Sequence, residues 1–94
     1  MANYLTHYTK KRQILAKKEQ KLRQLVSKGA AEEKLILAAA EVRSARIRKL
    51  QAGLAMLPPK EDPATASRIA NLEKDITKTT ATPIESVLAE FRAV

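Results

Sequence analysis

Two long apolar stripes, one on either side of Gly29, constrain the fold of this chain more than any other feature of its sequence. Apolar residues recur every three or four positions in each stripe, a spacing that places side chains on one face of an α-helix. Glycine readily adopts the left-handed conformation that often follows the last residue of a helix. The pattern therefore predicts two long helices, residues 4–28 and 30–57, joined at Gly29.

Single charged residues interrupt both stripes, which is typical of helices that pair in a defined register. If the chain reverses at Gly29, residue i lies opposite about residue 58 − i, which places Lys17 beside Glu41. We predict an antiparallel, coiled-coil-like hairpin. The alternative is one continuous helix, because a glycine inside a helix costs only about 1 kcal/mol. The first stripe comprises Leu5, Tyr8, Leu15, Leu22 and Val26, and the second Ile36, Ala40, Ile47, Leu50, Leu54 and Leu57.

Two shorter helices are predicted after the hairpin. The proline pair at 58–59 ends the second helix, and Asp62 before Pro63 is typical of a helix start. Thr82 and Glu85 have the spacing of a capping box, which predicts another helix start. The sequence thus predicts a single all-α domain over residues 1–94, with a linker at 58–62, a third helix at 63–79 and a fourth at 83–93.

Positive charge is concentrated in the first helix. The net charge is +8, and residues 1–29 alone contain eight Lys or Arg against one acid. Four lysines of this segment fall within about 40° on a helical wheel and form a stripe about 27 Å long. Such a stripe is suited to bind the phosphates of a polyanion. The alternative is that it only keeps a helical protein with apolar faces soluble. The predicted polyanion-binding set is Lys10, Lys11, Lys17, Lys18, Lys21, Lys28, Arg43, Arg46 and Arg48.

Residues 35–40 are six consecutive apolar residues, so they occupy every side of the second helix. A hairpin partner covers one side only, and further cover is expected on the others. The third and fourth helices can fold back on it, but they are short, and a second copy of the chain could cover the rest. Alanines 38–40 are cheap to expose and need no cover, but three successive large residues at 35–37 do. We predict that the chain associates with itself, as a dimer or larger, or with another helical protein. The predicted self-association set is Leu35, Ile36, Leu37, Ile84, Val87, Leu88 and Phe91.

Catalysis and cofactor chemistry have no support in the sequence. There is no cysteine, and the single histidine, His7, has no nearby acid to orient it. No carboxylate pair suits general acid–base work, and no glycine-rich loop suits a phosphate. We therefore expect no enzyme activity, no metal, no cofactor and no small-molecule substrate.

The longest apolar run has six residues, far below the roughly 18 of a membrane span, and no signal-peptide pattern is present. A soluble, cytoplasmic protein is expected. Its predicted function is that of a non-catalytic helical interaction or self-association module. The alternative is a small basic nucleic-acid-binding protein that uses the lysine stripe of the first helix. A basic amphipathic helix also suits a membrane surface, but the narrow apolar stripe without Trp or Phe disfavours it.

Overall fold

Four α-helices make up most of the chain that the structure, a computed structural model, describes: residues 2–57 and 63–93, with side chains from residue 6 onward. The helices are α1 (Ala2–Lys28), α2 (Glu32–Ala55), α3 (Pro63–Ala81) and α4 (Ile84–Arg92). They confirm the predicted all-α hairpin followed by two shorter helices. The predicted linker at 58–62, which includes Asp62, lies outside the described residues.

The hairpin gives the molecule an elongated shape. Its principal extents are 50 × 26 × 19 Å and its radius of gyration is 15.3 Å. A compact domain of this length has a radius of gyration of about 12 Å. Two long helices therefore present extended faces, and short helices can cover only part of them.

The turn between α1 and α2 is a Schellman motif centred on Gly29. Gly29 has a φ of 68°, in the left-handed region, as predicted for a residue that ends a helix. Its N–H donates to the carbonyl of Val26 at 3.1 Å, and the N–H of Ala30 donates to the carbonyl of Leu25 at 3.0 Å. Leu25 and Ala30 also pack together against the core. Two of the last carbonyls of α1 are thus satisfied while the chain reverses.

Replacing Gly29 with alanine is expected to lower the free energy of unfolding by about 1 kcal/mol. An added Cβ would meet no atom within 4 Å, so the cost comes from the left-handed backbone alone. Gly53→Ala is the matched control. Gly53 lies inside α2, where an added Cβ would make ordinary contact with the ring of Tyr8 at 3.5 Å. The free energy of unfolding of the Gly53→Ala variant should rise by about 0.5–1 kcal/mol. Urea unfolding followed by circular dichroism measures the free energy of unfolding of both variants. Changes of the same sign in the two variants would contradict the assigned turn.

Helices α1 and α2 are antiparallel, in a register close to the predicted one. Near the middle of the hairpin Lys18 Nζ lies 3.5 Å from Glu41 Oε2. Near its open end Tyr8 lies beside Gly53. The predicted neighbour of Glu41 was Lys17, which is wrong by one residue. Because both side chains are partly exposed, the ion pair lies at the edge of the packed face.

The stripe of α2 that packs in the core of the hairpin combines Leu35 and Val42 with several alanines. Ala38, Ala39 and Ala45 are buried, and their size lets α1 approach closely. The apolar stripe predicted to pack against α1 included Ile36, which is wrong, because Ile36 is 39% exposed. The side chain of Leu5 lies outside those described. The core cluster consists of Leu15, Leu22, Leu35, Ala38, Ala39, Val42, Ala45, Val87, Leu88 and Phe91.

Helix α3 packs against α2 but not against the other helices in the described part of the chain. It begins at Pro63, as predicted, and Ile69 is the buried residue of its apolar stripe. The helix continues to Ala81 rather than ending near residue 79. The hydroxyls of Thr77 and Thr80 donate to backbone carbonyls four residues earlier, so both are satisfied inside the helix.

The predicted capping box at the start of α4 is wrong. The hydroxyl of Thr82 donates back to the carbonyl of Lys78 at 2.8 Å instead of capping α4. Pro83 occupies the N-cap position in an extended conformation and makes no side-chain capping bond. The first turn of α4 is closed by the backbone instead, because the N–H of Ser86 donates to the carbonyl of Pro83 at 3.1 Å.

Helix α4 lies across the groove between α1 and α2 and contacts both. Val87, Leu88 and Phe91 are buried, and their side chains join the core of the hairpin. At its end Arg92 forms an ion pair with Glu32 at the start of α2. Helix α4 therefore covers one face of the hairpin and leaves the opposite face without cover from the described helices.

Candidate functional site

The uncovered face of the hairpin contains an open groove between α1 and α2. Two adjoining cavities of about 460 and 390 Å³ form it, and both are lined by Leu37 and Glu41. This groove faces away from α4: Lys21, which lines it, is about 200° around α1 from Glu19, which lines the α4 side. We call it the basic groove, defined by Ile14, Lys18, Lys21 and Leu25 of α1 and by Lys34, Leu37, Ala40, Glu41, Ser44 and Arg48 of α2.

Large apolar side chains are exposed in the basic groove. Leu37 is 68% exposed and Ile14 is 41% exposed. Leu37 is the most exposed of the large hydrophobic residues in the described part of the chain. Small side chains at Ala40 and Ser44 leave room beside it. Covering such side chains is favourable at about 25 cal/mol per Å² of apolar area.

Cations rim the basic groove at both ends. Lys21 and Lys34 lie toward one end, Arg48 lies at the other, and Lys18 lies near the middle, where it is paired with Glu41. Glu41 is the carboxylate that lines the groove, and it is already paired with Lys18. The ion pairs found within the described residues do not include Lys21, Lys34 or Arg48. The groove therefore has a net positive charge.

The predicted lysine stripe runs along this same side of α1. Lys10, Lys17, Lys21 and Lys28 are all exposed. The other two lysines of the predicted set, Lys11 and Lys18, are half-buried beside the stripe. The stripe thus adds to the positive charge of the α1 wall of the basic groove.

Two arginines of the predicted polyanion-binding set lie elsewhere, because they hold α3 and α4 on the hairpin. Arg43 Nη1 donates to the carbonyl oxygen of Thr82 at 3.0 Å. Arg46 donates to Glu90 at 3.1 Å and to Glu19 at 3.4 Å, and its guanidinium lies 5.9 Å from the centre of the Phe91 ring. Burial alone would lower the pKa of Arg46, but the hydrogen bonds and charges of Glu90 and Glu19 outweigh it and raise that pKa. Arg46 is therefore fully charged near neutral pH and is engaged within the chain.

The predicted self-association set is also divided by the fold. Leu35, Val87, Leu88 and Phe91 are buried together within one chain. They do not lie on the surface from which a second copy was expected to bind, because the hairpin groove accepts the apolar face of α4 from its own chain. Ile84 is half-buried at the edge of the same cluster. Ile36 and Leu37 remain exposed, and Leu37 joins three predicted cations, Lys18, Lys21 and Arg48, in the basic groove.

Ile14 and Lys34 line the basic groove but are not among the site residues predicted from the sequence. Ile14 lies outside the apolar stripe of α1, among charged and polar neighbours. A large apolar residue off the packed face was the signal that could have identified it. Lys34 needed the hairpin register, which brings it to the cavity that Lys21 also lines.

A second groove lies between α1 and α3, on the face that α4 partly covers. It measures about 460 Å³ and is lined mainly by polar residues of both signs, including Lys49, Asp75 and Lys78. Each of these is accessible to solvent. Solvated charges of opposite sign give this groove no preference for an anionic or a cationic ligand.

Within the described ranges, no group of three or more His, Cys, Asp or Glu side chains is placed to hold a metal ion. His7 is exposed on α1. None of the helices in residues 2–57 and 63–93 combines the length and the apolar character that crossing a membrane requires. Comparison of the chain with protein-family models, with curated proteins and with solved structures finds no significant match in any of the three.

Proposed function

We propose that this chain is a non-catalytic interaction module that binds a helix of another protein chain in the basic groove. One observation carries the proposal: Leu37 and Ile14 are both exposed along a groove that the described helices of the chain leave open. Exposed apolar side chains in a concave, charge-rimmed surface are typical of a docking site.

The dimensions of the basic groove suit an α-helix. From Lys34 to Arg48 its α2 wall is about 21 Å long at 1.5 Å per residue, the length of about four helical turns. Ala40 and Ser44 are small enough for another backbone to approach between the walls. An amphipathic helix would place its apolar residues on Leu37 and Ile14, in the helix-in-groove mode of recognition.

Nucleic-acid binding is the second candidate, and the exposed lysines of α1 favour it. Lys10, Lys17, Lys21 and Lys28 contact no carboxylate among the described residues, so all four are free to meet phosphates. A phosphate backbone would leave Leu37 and Ile14 uncovered, however. This is why a protein helix is the first candidate.

Site-specific photo-crosslinking in the cells that naturally make the chain tests the proposal. With p-benzoylphenylalanine in place of Leu37, we expect one or a few discrete protein adducts, because a docked helix covers this position. Asn71 is the matched control, since it is exposed on α3 and lies outside the basic groove. Equal adduct patterns from both positions would contradict the proposal, and adducts removed by nuclease would favour the second candidate.

A further inference from the structure

We propose that the occupant of the basic groove is an acidic amphipathic helix of a different protein, with carboxylates on both flanks of an apolar stripe. This inference rests on the proposed function and names the chemistry of the partner. It follows from the charges of the groove and from the placement of the exposed apolar residues in the described chain.

The charges of the groove call for an acidic partner. Cations stand at both of its ends, with Lys21 and Lys34 toward one and Arg48 at the other. Glu41 offers little to a basic partner, because Lys18 lies 3.5 Å from it. Because Lys21 stands on the α1 wall and Lys34 and Arg48 stand on the α2 wall, carboxylates on both flanks of a bound helix would meet cations. Charge complementarity would favour this helix over neutral or basic ones.

A second copy of the chain does not match this groove. The exposed large hydrophobic residues of the described chain lie on the hairpin, at Ile14, Ile36, Leu37 and Met56. Helices α3 and α4 expose none, so their outer faces have nothing to place on Leu37. A second copy would have to present its hairpin, and if the two basic grooves met, their cations would repel one another.

The apolar residues separate a protein helix from other polyanions. A DNA duplex or an anionic vesicle would meet the same lysines, but neither binds in a concave groove between two helices through a leucine. Recognition by a helix requires Leu37 and the cations together. An experiment can therefore test whether binding is lost when either Leu37 or the cations are replaced.

Fluorescence anisotropy with three labelled helical peptides of about four turns, added to the full chain at about 0.15 M salt, tests the inference. The first has leucines at three- and four-residue spacing flanked by glutamates. The second replaces the glutamates with lysines, and the third replaces the leucines with serines. We expect the first to bind at least about tenfold more tightly than either control, because each control removes one of the two matched features.

Variants of the chain locate the binding. Leu37→Ser should weaken binding of the acidic peptide about tenfold, whereas Ile36→Ser should not, because Ile36 does not line the groove. Lys21→Glu combined with Lys34→Glu should also weaken it about tenfold, whereas Lys74→Glu on α3 should have no effect. All of these side chains are exposed, so the variants should fold normally.

Four results would overturn the inference. The first two are equal affinity for the acidic peptide and its serine control, and unchanged affinity for the acidic peptide after Leu37→Ser. The third is a mixed-sequence DNA duplex that binds more tightly and displaces the acidic peptide. The fourth is a dimer of the chain in sedimentation that Leu37→Ser dissociates. The crosslinking experiment separates this failure from failure of the proposed function. A protein adduct from position 37 with no acidic-peptide binding would reject the acidic partner alone.

Discussion

Replacing Leu22 with alanine should lower the free energy of unfolding by about 3 kcal/mol. Leu22 is fully buried and belongs to the cluster in which α1, α2 and α4 meet. Removing its branched end leaves a cavity that three packed helices cannot easily close. Alanine is the best helix former, so the loss cannot come from helix propensity. In a small domain with a stability of roughly 5–10 kcal/mol, this change would remove a large share of the total.

Urea unfolding followed by circular dichroism measures the effect, and Leu37→Ala is the matched control. Leu37 is 68% exposed, so its truncation should change the free energy of unfolding by less than about 0.5 kcal/mol. Similar losses for the two variants would mean that Leu22 is not at the centre of the core, and the assigned packing of α4 would be wrong.

The parts of the fold that the sequence predicted correctly depend on local chemistry. Gly29 marks the turn because only a residue without a Cβ adopts its left-handed conformation at no cost. Pro63 marks the start of α3 because a proline fits the first turn of a helix and few other positions in it. These signals act within a few residues, so one sequence is enough to identify them.

The face of α2 that packs in the core could not be chosen from the sequence. Two apolar stripes lie side by side on this helix, one through Ile36 and one through Leu35 and Val42. The stripe through Ile36 has more large residues and was predicted to pack against α1. The stripe through Leu35 and Val42 is the one that is buried. Which stripe packs depends on how closely α1 can approach and on where α4 crosses. Both conditions are set by contacts between residues far apart in sequence.

The candidate site was predicted in part for the same reason. The lysine stripe follows from helical periodicity alone, and its members are exposed as a periodic stripe requires. That Ile14 and Leu37 line one groove depends on the hairpin register, which was predicted only to within about a residue or two. Arg46 was assigned to the surface because its partners, Glu19 and Glu90, are distant in sequence.

Replacing Arg46 with methionine should lower the free energy of unfolding by about 2 kcal/mol. Arg46 joins three helices, because it lies on α2 and donates to Glu19 on α1 and to Glu90 on α4. Methionine keeps the apolar stem but removes both charge-assisted hydrogen bonds and the contact with Phe91. The half-exposed side chain of Glu90 is screened by water, which keeps the loss below that of a fully buried pair. Because Arg46 stays charged, the loss should be independent of pH near neutrality.

Arg92→Met is the matched control, since its ion pair with Glu32 is exposed and should contribute about 0.5 kcal/mol or less. Arg46→Lys should recover only part of the loss, because an ammonium group lacks the planar fork that reaches two carboxylates. Amide hydrogen exchange shows which helix is destabilised when Arg46 is replaced. Removing Arg46 should speed amide exchange in α4 more than in α1 and α2, because α4 is short and depends on its contacts with the hairpin. Equal acceleration in all three helices would show that Arg46 stabilises the hairpin as a whole rather than the attachment of α4.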